Sequence, residues 1–165
     1  MVEAFDPQTN KFVLRKNTGG VSITGEEVYC IFGLKICGLD VKGILEQEGD
    51  HIMDSIPEQF LDPKKENIVI DQLITSILQS GDTDEDFVRK VVLVLLDIVI
   101  APCSTIIVTK NYYAMVHDFN RLRKLNLNEF TLQCCIDGII KARQGKVMKK
   151  WPKGNSALIQ VYRIF

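Results

Sequence analysis

The sequence predicts a mostly α-helical domain with a short β-hairpin near its N-terminus. Several stretches repeat apolar residues at helical spacing, and Phe87–Pro102 is apolar on almost every face. That run is too short to cross a bilayer, which needs about 20 consecutive apolar residues, so it is typical of a helix in a protein interior. We expect one compact domain of five to seven helices, in which residues 1–24 form the hairpin region and residues 25–165 the helical core.

The N-terminal region predicts two strands followed by a capped helix. Lys11–Arg15 and Val21–Thr24 are β-prone runs on either side of Asn17–Gly20, as in a hairpin with a glycine-containing turn. Thr24 and Glu27 then have the spacing of a capping box, in which each side chain bonds the backbone of the other. A short helix is therefore predicted to begin after Thr24 and to end at Gly33.

The next part of the chain is predicted to contain an irregular segment followed by a helix. Cys37–Lys65 is predicted to be the least regular part, because glycine and proline interrupt it repeatedly. From Ile70 to Leu78 the apolar residues fall on one helical face, and Ser80–Gly81 predicts the end of that helix.

The apolar stretch Phe87–Pro102 predicts a central helix, and two further helices are predicted after it. Four acidic residues precede or open the central helix, where negative charge complements the helix dipole; they are Asp82, Asp84, Glu85 and Asp86. Asp97 is its only late polar residue, and Pro102 ends the apolar run. One helical face is predicted over Tyr112–Leu122 and another over Leu132–Ile140, ended by Gly145. The apolar Ala157–Phe165 predicts that the sequence ends inside a structural element.

Charge is close to balanced overall but unevenly placed. The net charge of −1 argues against wholesale binding of nucleic acid or a membrane surface. Between Asp40 and Asp86 there are 13 acidic residues against three lysines, whereas no acidic residue follows Asp137. This asymmetry suits a charged partner or a second copy docking head to tail. An ordinary solvated surface is the alternative interpretation, and the stronger one, because surface charges contribute little.

The cysteines and the N-terminus indicate an intracellular protein of the nucleus or cytoplasm, with no membrane association. There are five cysteines, an odd number, and the sequence has no glycosylation sequon and no recognisable signal or mitochondrial presequence. A disulfide framework is therefore not expected.

No catalytic, metal or cofactor site is predicted. His117 and Asp118 are neighbours on one predicted helix, so their side chains diverge by about 100°, and Cys134 and Cys135 lie in an apolar helical stretch. The two histidines are far apart, and the cysteines lack the paired spacing of zinc ligands. No phosphate-binding glycine loop is present either. We therefore expect a non-enzymatic protein without a cofactor.

Four segments in this order resemble the plant mobile domain family, which is associated with transposons and often labelled "aminotransferase-like". They are Phe5–Thr9 with Phe12 and the following Val21–Leu34, then Phe87–Pro102 with Ser104, then Asn126–Phe130 with Leu132, and finally Ala157–Tyr162. Leu127 stands where the family usually has Trp. The family's extra N-terminal helix and its C-terminal continuation are missing, so we expect a domain trimmed at both ends.

The resemblance implies a helical, transposon-derived module without catalytic residues, and we expect it to bind a protein partner. The predicted contacts are a basic loop and the C-terminal end, with these residues: Lys146, Lys149, Lys150, Trp151, Lys153, Tyr162 and Phe165. One alternative is a toxin or antidote factor of a selfish or hybrid-incompatibility locus that acts by binding a protein. A second is a nucleic-acid-binding accessory domain, because lysines beside a tryptophan can hold phosphates and stack a base. A homo-oligomer is also compatible with the charge asymmetry.

Overall fold

The computed structural model describes residues 5–6, 8–9, 11–13, 20–64, 66–102 and 105–144. Within them the chain is mostly α-helical, which confirms the predicted fold class. The α-helices are α1 (Gly25–Phe32), α2 (Val41–Ile52), α3 (Ile70–Gln79), α4 (Glu85–Leu95), α5 (Tyr113–His117), α6 (Phe119–Leu122) and α7 (Leu127–Arg143). The strands are β1 (Phe5–Asp6), β2 (Lys11–Val13), β3 (Gly20–Ser22), β4 (Ile68–Val69) and β5 (Ile107–Val108). Single 3₁₀ turns cover Met53–Ser55, Glu58–Phe60 and Lys110–Tyr112.

The strands form two small antiparallel sheets. β2 pairs with β3 as predicted, with Lys11 opposite Ser22, and β1 adds a third strand on the other side of β2. Residues 17–19 of the predicted turn lie outside the described residues, and only Gly20 is described. β4 and β5 form a second sheet that the sequence did not indicate, and their paired Ile68 and Val108 are both fully buried.

Helix α1 has the predicted ends. The Thr24 hydroxyl accepts a hydrogen bond from the Glu26 backbone N–H at 3.2 Å, and the Glu27 carboxylate accepts one from the Thr24 N–H at 2.8 Å. Gly33 follows the helix with a φ of 69°, the left-handed conformation that glycine adopts without strain. The capping box and the glycine stop are both confirmed.

Helix α2 corrects the prediction that residues 37–65 are the least regular part. Its 12 residues begin after Asp40, whose carboxylate accepts from the backbone N–H groups of Lys42 and Gly43, each at 3.0 Å. Gly49 is buried in this helix, and a Cβ at that position would lie 2.9 Å from Nδ2 of Asn111. This glycine therefore permits close packing and does not end the helix.

The central helix changes its geometry before it ends. The Asp84 carboxylate caps α4 by accepting from the Phe87 N–H at 2.7 Å. After Leu95 the chain continues as a π-helical segment, Leu96–Ile100, in which the Ala101 N–H donates to the Leu96 carbonyl at 2.8 Å. Asp97 lies in this segment and is only 1% exposed. The predicted end at Pro102 is correct to within two residues.

The helix predicted over residues 112–122 is divided in two at Asp118. This residue has φ −91° and ψ 101°, outside the helical region, and its carboxylate accepts from the N–H groups of Asn120 at 2.9 Å and Arg121 at 3.2 Å. Asp118 thus caps α6, and the prediction of one helix containing both His117 and Asp118 is wrong. A local hydrogen bond to the following backbone outweighs the continuous apolar spacing.

Two clusters of buried side chains form the interior. The larger one joins α2, α4, α5 and the π-helical segment, and the smaller one joins α1, β1 and α7. Helix α7 lies between them, because Phe130 packs against the larger cluster while Ile136 and Ile139 belong to the smaller one. Across the described ranges, no helix has both the length and the apolar character needed to cross a membrane.

Candidate functional site

The outer face of the central helix is an exposed apolar surface, which we define as Val88, Val91, Leu95 and Ile98. Leu95 is 46% and Ile98 50% exposed, and the two valines are partly exposed. Spacings of three, four and three residues place them along one side of the helix. Leu93 on the opposite side is fully buried. The sequence indicates an interior helix, yet the described residues bury only one of its sides.

A second surface feature is a groove between the start of α2 and helix α7, with a volume of about 310 Å³. We call it the acidic groove. Its lining combines three carboxylates, one lysine, one amide, one thiol and two apolar side chains; these are Asp40, Glu129, Asp137, Lys42, Gln133, Cys134, Leu45 and Phe130. Three acids against one lysine give it a net negative charge at neutral pH.

The apolar floor of the acidic groove is held by the core beneath it. Leu45 and Phe130 both pack against the larger buried cluster. The rings of Phe130 and Tyr112 form a T-shaped pair with a centroid distance of 5.9 Å and an interplanar angle of 86°, which is a favourable aromatic arrangement. The floor is therefore fixed in position by packing.

The three carboxylates of the acidic groove differ in their partners. Asp40 bonds the backbone at the start of α2, and Asp137 accepts from Nε2 of Gln133 at 2.8 Å. Within the part of the chain that the structure describes, the Glu129 carboxylate makes no hydrogen bond or ion pair. Glu129 is also exposed, so it is available to a cationic ligand.

Two arginines connect pairs of helices through hydrogen bonds. Arg121 holds Glu48 through two hydrogen bonds of 2.6 Å, joining α6 to α2, and the side-chain bond from Arg121 lowers the pKa of Glu48. Arg89 pairs with Asp86 at 2.6 Å and donates to the Val116 carbonyl at 3.2 Å, joining α4 to α5. Both arginines have a structural explanation, since the pair of Arg121 with Glu48 and the hydrogen bond of Arg89 to the Val116 carbonyl each connect two helices.

The potential catalytic groups do not converge. The Asp118 carboxylate is directed to the backbone of α6, so it does not orient the ring of His117. Burial raises the pKa of the Cys135 thiol to about 11, which keeps this group protonated at neutral pH. No group of three potential metal ligands occurs among residues 5–144 as far as the structure describes them.

The predicted contact residues Lys146, Lys149, Lys150, Trp151, Lys153, Tyr162 and Phe165 all lie outside the described residues. Sequence reasoning missed both the outer face and the acidic groove. For the groove a signal was present: Glu129, Gln133 and Asp137 follow each other at four-residue intervals, which marks a polar stripe on one helix face. No sequence signal placed Asp40 opposite that stripe, because the two are joined only by the fold.

Comparison with protein-family models shows the family to which the chain is similar. The model of a domain of unknown function, DUF8566, matches residues 1–159 of the chain. No curated protein and no solved structure gives a significant match. Since the family model covers nearly the whole sequence, the chain belongs to the DUF8566 family.

Proposed function

We propose that the chain is a non-enzymatic protein-interaction module of the plant mobile-domain type, and that it binds its partner through the outer face of the central helix. The observation that carries the proposal is the exposure of Leu95 and Ile98 at the middle of the most apolar stretch of the sequence. Exposed apolar surface of this kind is typical of a site that another protein covers.

The shape of the outer face fits a helical partner. Its four side chains have the spacing by which one amphipathic helix packs against another. Complete burial of an aliphatic side chain contributes about 1.5–3 kcal/mol, and Leu95 and Ile98 are already half buried, so each would add roughly 1 kcal/mol on binding. Together, the contacts of Leu95 and Ile98 would increase the affinity for the partner about tenfold to hundredfold.

Further features support an interaction role. The resemblance to a transposon-derived domain implies a protein partner and no catalytic residue. The basic segment Lys146–Lys153 and the C-terminal Tyr162–Phe165 remain additional predicted contacts, and nucleus or cytoplasm remains the expected compartment. Asp118 and Cys135 have structural roles, which is consistent with a function in binding.

The test is an affinity capture from plant extract with the purified full chain, quantified by mass spectrometry with and without nuclease. The variant carries Leu95→Asp and Ile98→Asp, which replace the apolar contact with two charges. The matched control is Ile36→Asp, because Ile36 is 53% exposed in the connection between α1 and α2. We expect the wild type to capture proteins that stay bound after nuclease treatment. The control should capture the same proteins, and the double variant should not.

Two results would contradict the proposal. If the double variant retained every captured protein, the outer face would not be the binding surface. If every protein disappeared on nuclease treatment, the chain would be a nucleic-acid-binding domain, and the binding should then weaken steeply with salt.

A further inference from the structure

We propose that the acidic groove binds the basic segment Lys146–Lys153 of a second copy of the chain, so that the protein assembles head to tail. This inference goes beyond the proposed function, since no residue of the outer face lines the groove, and it assigns a binding site to the basic segment that was so far only an additional predicted contact. Three properties of the chain support this assembly: the charge and apolar floor of the groove, the composition of the segment, and the length of chain between them.

The acidic groove has the properties of a receptor for a cationic peptide with one large apolar side chain. Glu129 and Asp137 lie eight residues apart on α7, which places them about 12 Å from each other along the helix. Between them the floor offers Leu45 and Phe130, held against the core. Two separated carboxylates beside an apolar floor match lysines on either side of an aromatic residue.

The segment Lys146–Lys153 has the complementary composition. Its eight residues contain four lysines and no acidic residue, and they include Trp151, the single tryptophan of the chain. A tryptophan combines a large apolar area with few rotatable bonds, so it is well suited to fill the floor of a groove. Pairing the lysines with Glu129 and Asp137 would add attraction that falls with ionic strength.

The distances favour a second copy over the chain's own groove. From Phe130 to the end of α7 at Arg143 the helix runs for 13 residues, about 20 Å. Trp151 follows Arg143 by eight residues, which span at most about 29 Å when fully extended. For Trp151 to reach the groove of its own chain, the connection would have to use most of this length and reverse direction directly after the helix. Neither constraint applies when the segment binds the groove of a second copy.

Such a contact joins two different surfaces, so a pair of copies still has one free groove on one copy and one free segment on the other. A contact of this type generates chains or rings of copies instead of a closed symmetric dimer. Assembly should therefore extend beyond two copies as the protein concentration rises, and added salt should reverse it.

The test is sedimentation velocity of the purified full chain over a concentration series at low salt. The groove variant is Glu129→Lys with Asp137→Lys, and the segment variant is Lys149→Glu with Lys150→Glu. Asp40 stays unchanged because it caps α2. The matched control is Asp50→Lys with Asp82→Lys, which reverses two exposed acids that do not line the groove.

We expect the wild type and the control to assemble and each of the two variants to associate at least about tenfold more weakly. An equimolar mixture of the two variants should restore assembly, since one supplies an intact segment and the other an intact groove. Trp151 fluorescence should shift to shorter wavelength as the wild type assembles, because the indole leaves water.

Several outcomes would overturn the inference. The wild type could remain monomeric throughout the series, or the mixture of variants could remain monomeric. Combining all four reversals in one chain could restore the Trp151 shift in a monomer, which would place the segment in its own groove. None of these outcomes bears on the outer face, so the proposed function is tested separately.

Discussion

Helices α4 and α7 have opposite relations between composition and burial. Helix α4 is continuously apolar from Val91 to its end, yet Leu95 on its outer face is 46% exposed. Helix α7 contains Asn128 and Thr131, yet both are buried, and it lies between the two core clusters. The Thr131 hydroxyl donates to the Leu127 carbonyl at 2.7 Å, and Nδ2 of Asn128 donates to the carbonyls of Gly25 and Leu34. Burial thus follows the neighbours that the fold provides, and the apolar surface left exposed on α4 is the surface through which we propose that a partner binds.

The largest expected effect separates the two sides of α4. Leu93→Ala should lower the free energy of unfolding by about 2–5 kcal/mol, because Leu93 is fully buried and its truncation leaves a cavity. Leu95→Ala, two residues away in the same helix, should cost less than about 1 kcal/mol. Urea denaturation followed by circular dichroism measures both. Similar losses for the two variants would mean that the outer face is covered within the chain.

The next effect concerns the polar start of α7. Asn128 is 1% exposed, and its Nδ2 donates to the carbonyls of Gly25 at 2.8 Å and Leu34 at 2.9 Å. Asn128→Ala leaves both carbonyls without this donor and should cost about 1–3 kcal/mol in the same assay. Asn120→Ala, at an exposed position, is the matched control and should change stability little. If Asn128→Ala left the free energy of unfolding unchanged, α7 would not need this connection to α1.

A smaller, pH-dependent effect is expected at α2, which faces α7 across the acidic groove. Hydrogen bonding from Arg121 lowers the pKa of Glu48 below its ordinary 4.5 in the folded state. The folded protein then holds fewer protons than the unfolded chain just below pH 4.5, so the contribution of Glu48 is complete above that pH. It is lost as the pH falls through the lower, folded-state pKa.

Glu48→Gln should accordingly reduce stability at neutral pH by roughly 0.5–1 kcal/mol, a value limited by partial solvent exposure of the pair. The difference from the wild type should disappear in acid. Denaturation curves over a pH series would show this, with Glu46→Gln as the control, since its carboxylate is 4.0 Å from Lys42 and largely exposed. A difference that persisted in acid would assign the effect to packing and not to charge.

The smallest effect concerns reactivity and leaves the fold unchanged. The Cys135 thiol in α7 is buried and its pKa is raised to about 11, so it should resist alkylation in the native protein at mildly alkaline pH. Cys30 and Cys37 are exposed and should react. Mass spectrometry of peptides after iodoacetamide treatment reads out each site. Rapid native labelling of Cys135 would show that α7 separates readily from the smaller core cluster.

Much of the local structure followed from short-range chemistry. The capping box at Thr24, the glycine that ends α1 and the acidic cap of α4 were predictable because each depends on a few neighbouring residues. The helix at α2 was missed because Gly49 looks like a breaker until its contact with Asn111 is known. The break at Asp118 was missed because a continuous apolar pattern concealed a capping carboxylate.

The sequence by itself determined the helical class, most helix starts and the uneven distribution of charge, since these depend on spacing, capping and composition. Only the tertiary structure decided which apolar residues remain exposed and which distant carboxylates share a groove. Asp40 and Asp137 line the same groove although they are 97 positions apart along the chain. Such pairings depend on how helices pack, and helix packing is set by the whole core and not by any single segment.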